Sequence, residues 1–206
     1  FGFLLEIADK HDLVRGKRIG VDASTQAANA ALRRLVRRDS GEDYQEMLRR
    51  LAQESGLETP SAEDLIRFDR ARKGKTLSNA DWASPTDPEA RIARMKDGTT
   101  HLAYKPEHAV DLDTGMIVAA RIHPADQGDT RTLAGTLEQA QAMLDLVGLA
   151  PTPETPAEMI ADKGYHSREG LKALEDSAWK SRISEKEQKA FARWHGDDAA
   201  RRAVYN

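Results

Sequence analysis

The stretch Met159-Ile160-Ala161-Asp162-Lys163-Gly164-Tyr165-His166-Ser167 joins a short apolar run to a carboxylate and a glycine turn. An apolar run of this length predicts a β-strand that carries Asp162 to the edge of a sheet, where ligands of open α/β sheets collect. Ser167 is expected to cap a helix that follows. The stretch therefore predicts the mouth of an active site in an α/β domain.

A second acid, Asp22, lies near the end of a similar segment, Arg18-Ile19-Gly20-Val21-Asp22-Ala23-Ser24-Thr25. If the two strands lie side by side, their carboxylates could share divalent cations, because Mg²⁺ prefers hard oxygen ligands and takes a few carboxylates together with water and substrate phosphates. Two such ions, about 4 Å apart, support in-line phosphoryl transfer. For either acid alone, a role as a helix cap or turn residue remains the alternative.

Composition sets the outer limits of the interpretation. The chain has 206 residues, of which 39% are hydrophobic, enough to form the core of one sizeable domain or of a domain with an insertion. Charged residues make up 32%, yet the formal net charge is only −3, so any surface that binds nucleic acid must be local. The absence of cysteine excludes disulfides, thiolate metal sites and cysteine nucleophiles, and it fits a reducing cytoplasm. No apolar run approaches the roughly 18 residues of a membrane span, and no signal peptide is visible.

Hydrophobic spacing and turn residues predict a mixed order of helices and strands. The expected elements are a helix end at 3–7, a strand at 18–23, a helix over 29–38, capped helices after Ser40-Gly41-Glu42-Asp43 and Ser61-Ala62-Glu63-Asp64, an ordered loop over 76–98, a hairpin of 101–111 with 116–122, a helix starting after a cap at Asp129 or Thr130, the strand that ends at Asp162, a helix over 167–176, a strand around 182–184 and a charged helical tail with Phe191 and Trp194. The two capped helices form a helical insertion after the first strand.

Two local clusters of basic residues are candidates for phosphate contact. Four arginines, at positions 33, 34, 37 and 38, would share one face of the predicted helix over 29–38. The loop Arg70-Ala71-Arg72-Lys73-Gly74-Lys75 is compact and cationic, and it is the stronger candidate. Solvated surface is the alternative for both clusters.

Other residues are weaker candidates for a role in catalysis, metal binding or DNA contact. Lys163 and Tyr165 flank the second acid, and Tyr165 could stack on or hydrogen-bond a DNA backbone or else be packed. His101, His108 and His123 lack the spacing of helical zinc ligands, His166 is expected to be solvated, and Asp126 and Asp129 are expected to be turn and cap residues. The sequence has no Gly-x-Ser-x-Gly motif and no phosphate-binding glycine loop.

Four segments together resemble the DDE transposases of bacterial insertion sequences. They are Ile19-Gly20-Val21-Asp22-Ala23-Ser24-Thr25, Arg37-Arg38-Asp39-Ser40-Gly41, Met95-Lys96-Asp97-Gly98-Thr99 and Ala161-Asp162-Lys163-Gly164-Tyr165-His166-Ser167, and the Asp-Lys-Gly-Tyr block is the most specific. The resemblance covers essentially the whole chain. It implies an RNase H-like catalytic domain, an α/β mixed sheet flanked by helices, with the first Asp on the first strand and the second at the end of the fourth.

Carried to this chain, the resemblance implies that Asp22 and Asp162 are catalytic and bind Mg²⁺ or Mn²⁺. The implied reaction is hydrolysis at the ends of the element, followed by attack of the freed 3′-hydroxyl on target DNA. DNA, as element ends and target, is then the partner, the predicted contact residues being Arg70, Arg72, Lys73, Lys75, Lys163 and Tyr165. A homo-oligomer of the full-length protein and a bacterial cytoplasmic, nucleoid-associated location are also implied, with no role for a membrane.

The chain departs from the family pattern in one respect. The family's third carboxylate is a Glu on a later helix, and this chain stops near where that region should begin; Glu185 and Glu187 are interpreted as surface acids. Both ends of the chain look cut. We therefore expect residues 1–16 to be the end of a truncated helical region and 17–206 to be an incomplete catalytic domain with an insertion at about 26–98.

Two hypotheses follow from the sequence. The first is the central part of a DDE transposase, which as an isolated fragment is expected to have little or no strand-transfer activity. The second is a catalytically inactive remnant that acts only as a DNA-binding or protein-interaction module. If Asp22 and Asp162 form a metal site, their carboxylates should lie within roughly 8 Å of each other on adjacent strands, and placement on opposite faces of the sheet would contradict that assignment.

Overall fold

The fold is seen in a computed structural model, in which residues 1–185 are described. The helices are α1 (Gly2–Lys10), α2 (Tyr44–Glu54), α3 (Ala62–Ala71), α4 (Asp129–Asp145) and α5 (Arg168–Leu174). The strands are β1 (Arg18–Ala23), β2 (Gln26–Ala27), β3 (Val36–Arg37), β4 (Trp82–Ala83), β5 (Arg91–Arg94), β6 (Thr100–Asp111), β7 (Ile117–Pro124), β8 (Ala157–Ala161) and β9 (Trp179–Ile183). The protein is therefore mixed α/β, as the sequence predicts.

The chain divides into two compact units. We call the first the sheet unit, made of Phe1–Ser24, Lys105–His123 and Gln127–Asn206, and the second the inserted unit, made of Thr25–Tyr104 and Pro124–Asp126. Strand β6 runs through the division, and each unit has its own hydrophobic clusters.

The sheet unit is built on a mixed sheet. Strand β1 pairs with β6 in antiparallel fashion on one side and with β8 in parallel on the other, while β9 pairs in parallel with β8. Strand β7 completes a hairpin with β6, through a turn in which Gly115 has a φ of 77°. The order β7-β6-β1-β8-β9 thus places the two strands associated with Asp22 and Asp162 next to each other.

One face of this sheet is covered by helix α4. Its buried residues Leu133, Leu137, Ala140 and Leu144 recur at spacings of four and three, which gives a helix one continuous apolar stripe. They join a cluster that includes Ile19 and Val21 of β1 and Met159 of β8. Leu5 and Ala8 of α1 belong to the same cluster, so the segment expected to be the end of a separate helical region packs within the sheet unit.

A buried carboxylate fixes the entry of the chain into β1. Asp111, at the end of β6, is fully buried and accepts hydrogen bonds from the backbone N–H groups of Arg15 at 2.6 Å and Gly16 at 2.8 Å. Gly16 has a φ of 68°, the left-handed region that favours glycine. Asp111 therefore anchors the connector just before the strand that carries Asp22.

The inserted unit corrects two of the predicted elements. Residues 29–38 do not form an α-helix: they contain a short 3-10 helix over Leu32–Arg34 and strand β3, which pairs with β4. Leu35 is buried in a cluster with Met47 and Trp82, so tertiary packing outweighs the helical propensity of the segment. Residues 76–98, predicted to be a loop, contain β4 and β5, and β5 pairs with β6.

The helical hairpin of the insertion is confirmed, with one difference at its start. Helix α2 is capped by Asp43, which accepts from the N–H groups of Gln45 and Glu46, rather than by Ser40. Ser61 caps α3 as the sequence predicts. Leu48, Ala52 and Leu65 bury the contact between the two helices.

The remaining elements agree with the prediction to within a few residues. Ser167 caps α5, accepting from the N–H of Gly170 at 3.0 Å, and β9 begins at Trp179, somewhat before the expected 182–184. The predicted tail with Phe191 and Trp194 lies outside the described residues. Within 1–185, no helix combines the length and apolar character needed to cross a membrane.

Candidate active site

The site begins with the register of β1 and β8. Val21 and Ala161 are the last residues that the two parallel strands align, and each is followed directly by an acid, Asp22 and Asp162. Adjacent strands are about 4.8 Å apart. Val21 and Ala161 belong to the hydrophobic core cluster, whereas Asp22 and Asp162 are both exposed. The register therefore brings the two predicted acids to the same edge of the sheet.

Each acid also makes a local hydrogen bond. Asp162 has an extended conformation and caps a short 3-10 helix over Lys163–Tyr165, accepting from the N–H of Gly164 at 2.7 Å through Oδ1. Asp22 Oδ1 accepts from the N–H of Ala23 at 2.9 Å. Asp162 therefore does act as a cap, which was the alternative to a catalytic role. The hydrogen bond from Gly164 is to Oδ1, and it orients the carboxylate.

Gly164 shows that a third carboxylate approaches Asp162. A Cβ at position 164 would lie 2.6 Å from Asp129 Oδ2 and 2.8 Å from Asp162 Oδ1. Two carboxylates therefore face one point, and a side chain there would displace them. Asp129 was expected to be a turn or cap residue, but it is the first residue of α4, whose cap position is Gly128, and its Oδ1 lies 2.6 Å from Lys105 Nζ. That ion pair compensates the charge of Asp129.

A buried polar network lies behind this edge, centred on Glu107 of β6. Glu107 is completely buried, and it accepts hydrogen bonds from the hydroxyl groups of Thr132, at 2.7 Å, and Thr136. Lys105 Nζ lies 3.7 Å from Glu107 Oε1 and donates to Thr132 Oγ1 at 2.9 Å. Since a buried charge must be paired and hydrogen-bonded to be tolerated, these partners explain how a carboxylate survives inside the unit.

Tyr165 is part of the same network, which corrects its predicted contact with DNA. Its side chain is only 2% exposed and its hydroxyl donates to Glu107 Oε1 at 2.8 Å. Burial, the bond to Glu107 and the negative charges of Asp129 and Asp22 raise the pKa of Tyr165 above its ordinary value. The side chain has no surface on which a base could stack; it anchors the turn that follows Asp162.

His123 of β7 is the last member of the network. Its Nε2 lies 3.1 Å from Thr136 Oγ1 and 3.5 Å from Glu107 Oε2. Burial lowers the pKa of His123 despite the attraction of Glu107, and the neighbouring Arg121 and Lys105 act in the same direction as burial. The imidazole therefore favours the neutral form inside the folded protein.

The sequence could not reveal this network, because its members are far apart in the chain. Lys105 and Glu107 are two residues apart on a strand and therefore share one face of it. Thr132 and Thr136 are four residues apart on a helix and therefore share one side of it. The only available signal was that charged residues stand at positions where the strand pattern calls for apolar ones.

The donor set at the strand edge suits a hard divalent cation. Asp22 and Asp162 offer carboxylate oxygens, the ligands that Mg²⁺ and Mn²⁺ prefer. Asp129 approaches Asp162 at Gly164, but its charge is compensated by Lys105. Within the described part of the chain, however, no group of three or more His, Cys, Asp or Glu side chains is arranged to hold a metal ion. Glu187 lies outside that part.

The predicted basic contacts divide between the two units. Lys163 is exposed beside Asp162 in the sheet unit, whereas Arg70, Arg72, Lys73 and Lys75 lie in the inserted unit. Arg72 and Lys75 are tied to Asp69, with N–O distances of 3.4 and 3.5 Å. The four-arginine helical face does not exist, since its helix is absent; Arg37 pairs with Asp39 at 2.6 Å instead.

Comparison with known proteins gives one match. The model of a family described as the transposase DDE domain matches residues 70–204, a range that contains Asp162 and begins after Asp22. Searches of curated proteins and of solved structures found no match.

Proposed function

The chain belongs to the transposase DDE domain family, and from that premise we propose that Asp22 and Asp162 are its catalytic, metal-binding carboxylates. Membership associates the chain with DNA transposition. The observation that carries the assignment of residues is the register of β1 and β8, which brings the two acids to adjacent positions at one strand edge. The family match does not include Asp22, so the proposal for that residue is supported by the register of β1 and β8 and by the sequence resemblance.

We further propose that the sheet unit has an RNase H-like fold. In the order of the chain its strands are β1, β6, β7, β8 and β9, and the sheet order is third, second, first, fourth, fifth. The first strand is parallel to the fourth and antiparallel to the second. Asp22 stands on the first strand and Asp162 directly after the fourth, which are the places that the resemblance assigns to the first two catalytic acids.

The proposed chemistry is phosphoryl transfer at the ends of a DNA element, followed by transfer of a strand to target DNA. Divalent ions held by Asp22 and Asp162 would activate the attacking water or hydroxyl and neutralise the leaving oxygen. The chain's own contribution is to hold the carboxylates ready: the Gly164 N–H orients Asp162, and the anchored Tyr165 fixes the turn behind it. Lys163, exposed next to Asp162, is placed to contact a DNA phosphate.

Binding of Mn²⁺, followed by the electron paramagnetic resonance of the free ion, tests the metal site without any need for turnover. We expect Asp22→Asn and Asp162→Asn each to weaken binding by at least about tenfold, because each removes one charged ligand. Asp145→Asn, at the exposed end of α4, is the matched control and should leave binding unchanged. Equal binding by all three variants would refute the assignment.

Nicking of supercoiled plasmid in Mg²⁺ then separates the two functions that the sequence allows. Metal-dependent nicking that is lost in Asp22→Asn and Asp162→Asn supports the enzyme. Metal binding without nicking, combined with retained DNA binding, is the result expected both of the inactive remnant and of an incomplete catalytic domain, so nicking is the outcome that decides for the enzyme.

A further inference from the structure

A cavity of about 280 Å³ lies entirely within the inserted unit. Helices α2 and α3 contribute to its surroundings, and the loop after α3 forms part of its wall through residues 74–77. None of its lining belongs to the proposed catalytic edge. It is therefore a separate candidate site, and its ligand must be inferred from its own lining.

The charged lining of the cavity is predominantly cationic. Arg37, Arg72 and Lys75 line it, against one acid, Asp81. Asp69, which is not part of the lining, holds both Arg72 and Lys75 and thereby fixes their positions. Cations that are held in place lose less conformational entropy when they bind an anion. Arg37 is itself paired with Asp39 and Asp81, so it is the preorganised donors of Arg72 and Lys75, rather than an excess of positive charge, that favour an anionic ligand such as a phosphate group.

Arg72 provides a second, independent sign. Its side chain is only 22% exposed, and its Nε is buried with no hydrogen-bond partner among residues 1–185. The Nη2 atom of Arg72 makes only long hydrogen bonds, 3.3 Å to the Tyr44 hydroxyl and 3.4 Å to Asp69 Oδ1. A buried N–H without an acceptor is costly, so the guanidinium has unused capacity to donate to a bound anion.

The rest of the lining is apolar and aromatic. Met47, Leu77 and Trp82 form part of the wall, and the guanidinium of Arg37 lies over the Trp82 ring, 5.6 Å from its centroid. Tyr44 is tilted against Trp82, with a centroid separation of 6.0 Å. A cationic side beside an apolar, aromatic side suits a ligand that has both a phosphate and a flat base, which is how proteins bind unpaired nucleic acid.

We propose that this cavity binds one nucleotide of an unpaired DNA strand, with the phosphate at Arg72 and Lys75 and the base or sugar against Leu77 and the half-buried ring of Tyr44. A duplex would present its phosphates but keep its bases stacked inside, so the apolar wall would be left without a partner. The proposal rests on the proposed function in that DNA is the substrate, and it assigns a contact for DNA that is distinct from the metal site.

Fluorescence anisotropy with a labelled 12-nucleotide single strand, measured in EDTA, tests the proposal. Arg72→Gln and Lys75→Gln should each weaken binding by about tenfold, the loss expected for a charged hydrogen bond to phosphate. Lys96→Gln is the matched control: it removes the same charge from the same unit, at an exposed residue that does not line the cavity, and should cost less than about threefold. Circular dichroism melting of each variant confirms that the fold is retained.

Three outcomes would overturn the proposal. Equal weakening by the variants at Lys96 and Lys75 would mean that Lys75 contributes only general electrostatic attraction of DNA to the surface. A duplex of the same length that binds as tightly as the single strand would remove the role of the apolar wall. If thymidine 5′-monophosphate displaced the labelled strand at the same concentration as the unlabelled oligonucleotide, the ligand would be a free nucleotide and not a DNA strand.

Asp22→Asn distinguishes this proposal from the catalytic one. It should lose Mn²⁺ binding while keeping its affinity for the single strand in EDTA, since the cavity lies in the other unit. Loss of strand binding in Arg72→Gln with intact Mn²⁺ binding is the complementary result. Failure of the cavity and failure of the metal site are thus separate readouts.

Discussion

Replacement of Tyr165 by Phe tests whether the buried network supports the proposed active-site edge. The substitution removes a hydroxyl that donates to Glu107 Oε1 at 2.8 Å and keeps the ring. Because Glu107 is completely buried, it loses one of its donors and no water can replace it. A hydrogen bond to a buried charged group is worth about 1.5–3 kcal/mol, so the free energy of unfolding should fall by that amount. For a chain of this size, each kcal/mol lowers the melting temperature by about 2–4 °C.

Urea denaturation measures this loss, and hydrogen exchange of amides in β1, β6 and β8 assigns it to the sheet unit. Tyr104→Phe is the matched control, since it also removes a hydroxyl that donates to a carboxylate, that of Asp87, but in the inserted unit and closer to solvent. Its cost should stay below about 1 kcal/mol. Equal costs for the two variants, or unchanged exchange in β8, would refute the role of the network.

Three further predictions concern the turn, the imidazole and a helix cap. Gly164→Ala should weaken Mn²⁺ binding and lower the free energy of unfolding by about 1–3 kcal/mol, because its Cβ would lie under 3.0 Å from two carboxylate oxygens, whereas Gly128→Ala meets no atom within 4 Å and should leave metal binding intact. Burial lowers the pKa of His123 in the folded state below the unfolded value of about 6.5, so the free energy of unfolding should be constant above that pH and fall as the pH decreases below it. Urea titrations at several pH values should show a weaker dependence of this free energy on pH in His123→Gln. An unchanged dependence would contradict the assignment. Asp43→Ala should destabilise α2 by about 1 kcal/mol and Ser40→Ala by much less, as measured by hydrogen exchange in that helix; the reverse order would contradict the observed cap.

Most of the sheet unit could be predicted from local sequence. Strand β1 has the predicted bounds, and the stripe of Leu133, Leu137 and Leu144 marked α4 correctly, because each pattern reflects one buried face of one element. The pairing of β1 with β8 could not be derived from the sequence and was an assumption of the predicted site. The structure supplies the register, in which the residues just before the two acids, Val21 and Ala161, are aligned.

The errors arose where distant residues determine local structure. Residues 29–38 read as a helix on composition, but the burial of Leu35 and the pairing of β3 with β4 hold them in other conformations. The sequence left a DNA contact open for Tyr165, because the acceptor of its hydroxyl group, Glu107, is 58 residues away in sequence and could not be recognised as its partner. Buried polar partners of this kind leave no periodic pattern, so only the fold reveals them.

Replacement of the bound divalent ion by Fe²⁺ tests the central claim most directly. With ascorbate and peroxide, Fe²⁺ generates hydroxyl radicals that cut the backbone close to where the ion is held. The account predicts cuts near Asp22 and near Asp162 in the same molecule, suppressed by excess Mg²⁺ and absent in Asp22→Asn, because one site takes ligands from both strands. Cuts at only one of the two positions, or cuts that persist in Asp22→Asn, would contradict the claim that β1 and β8 form a shared metal site.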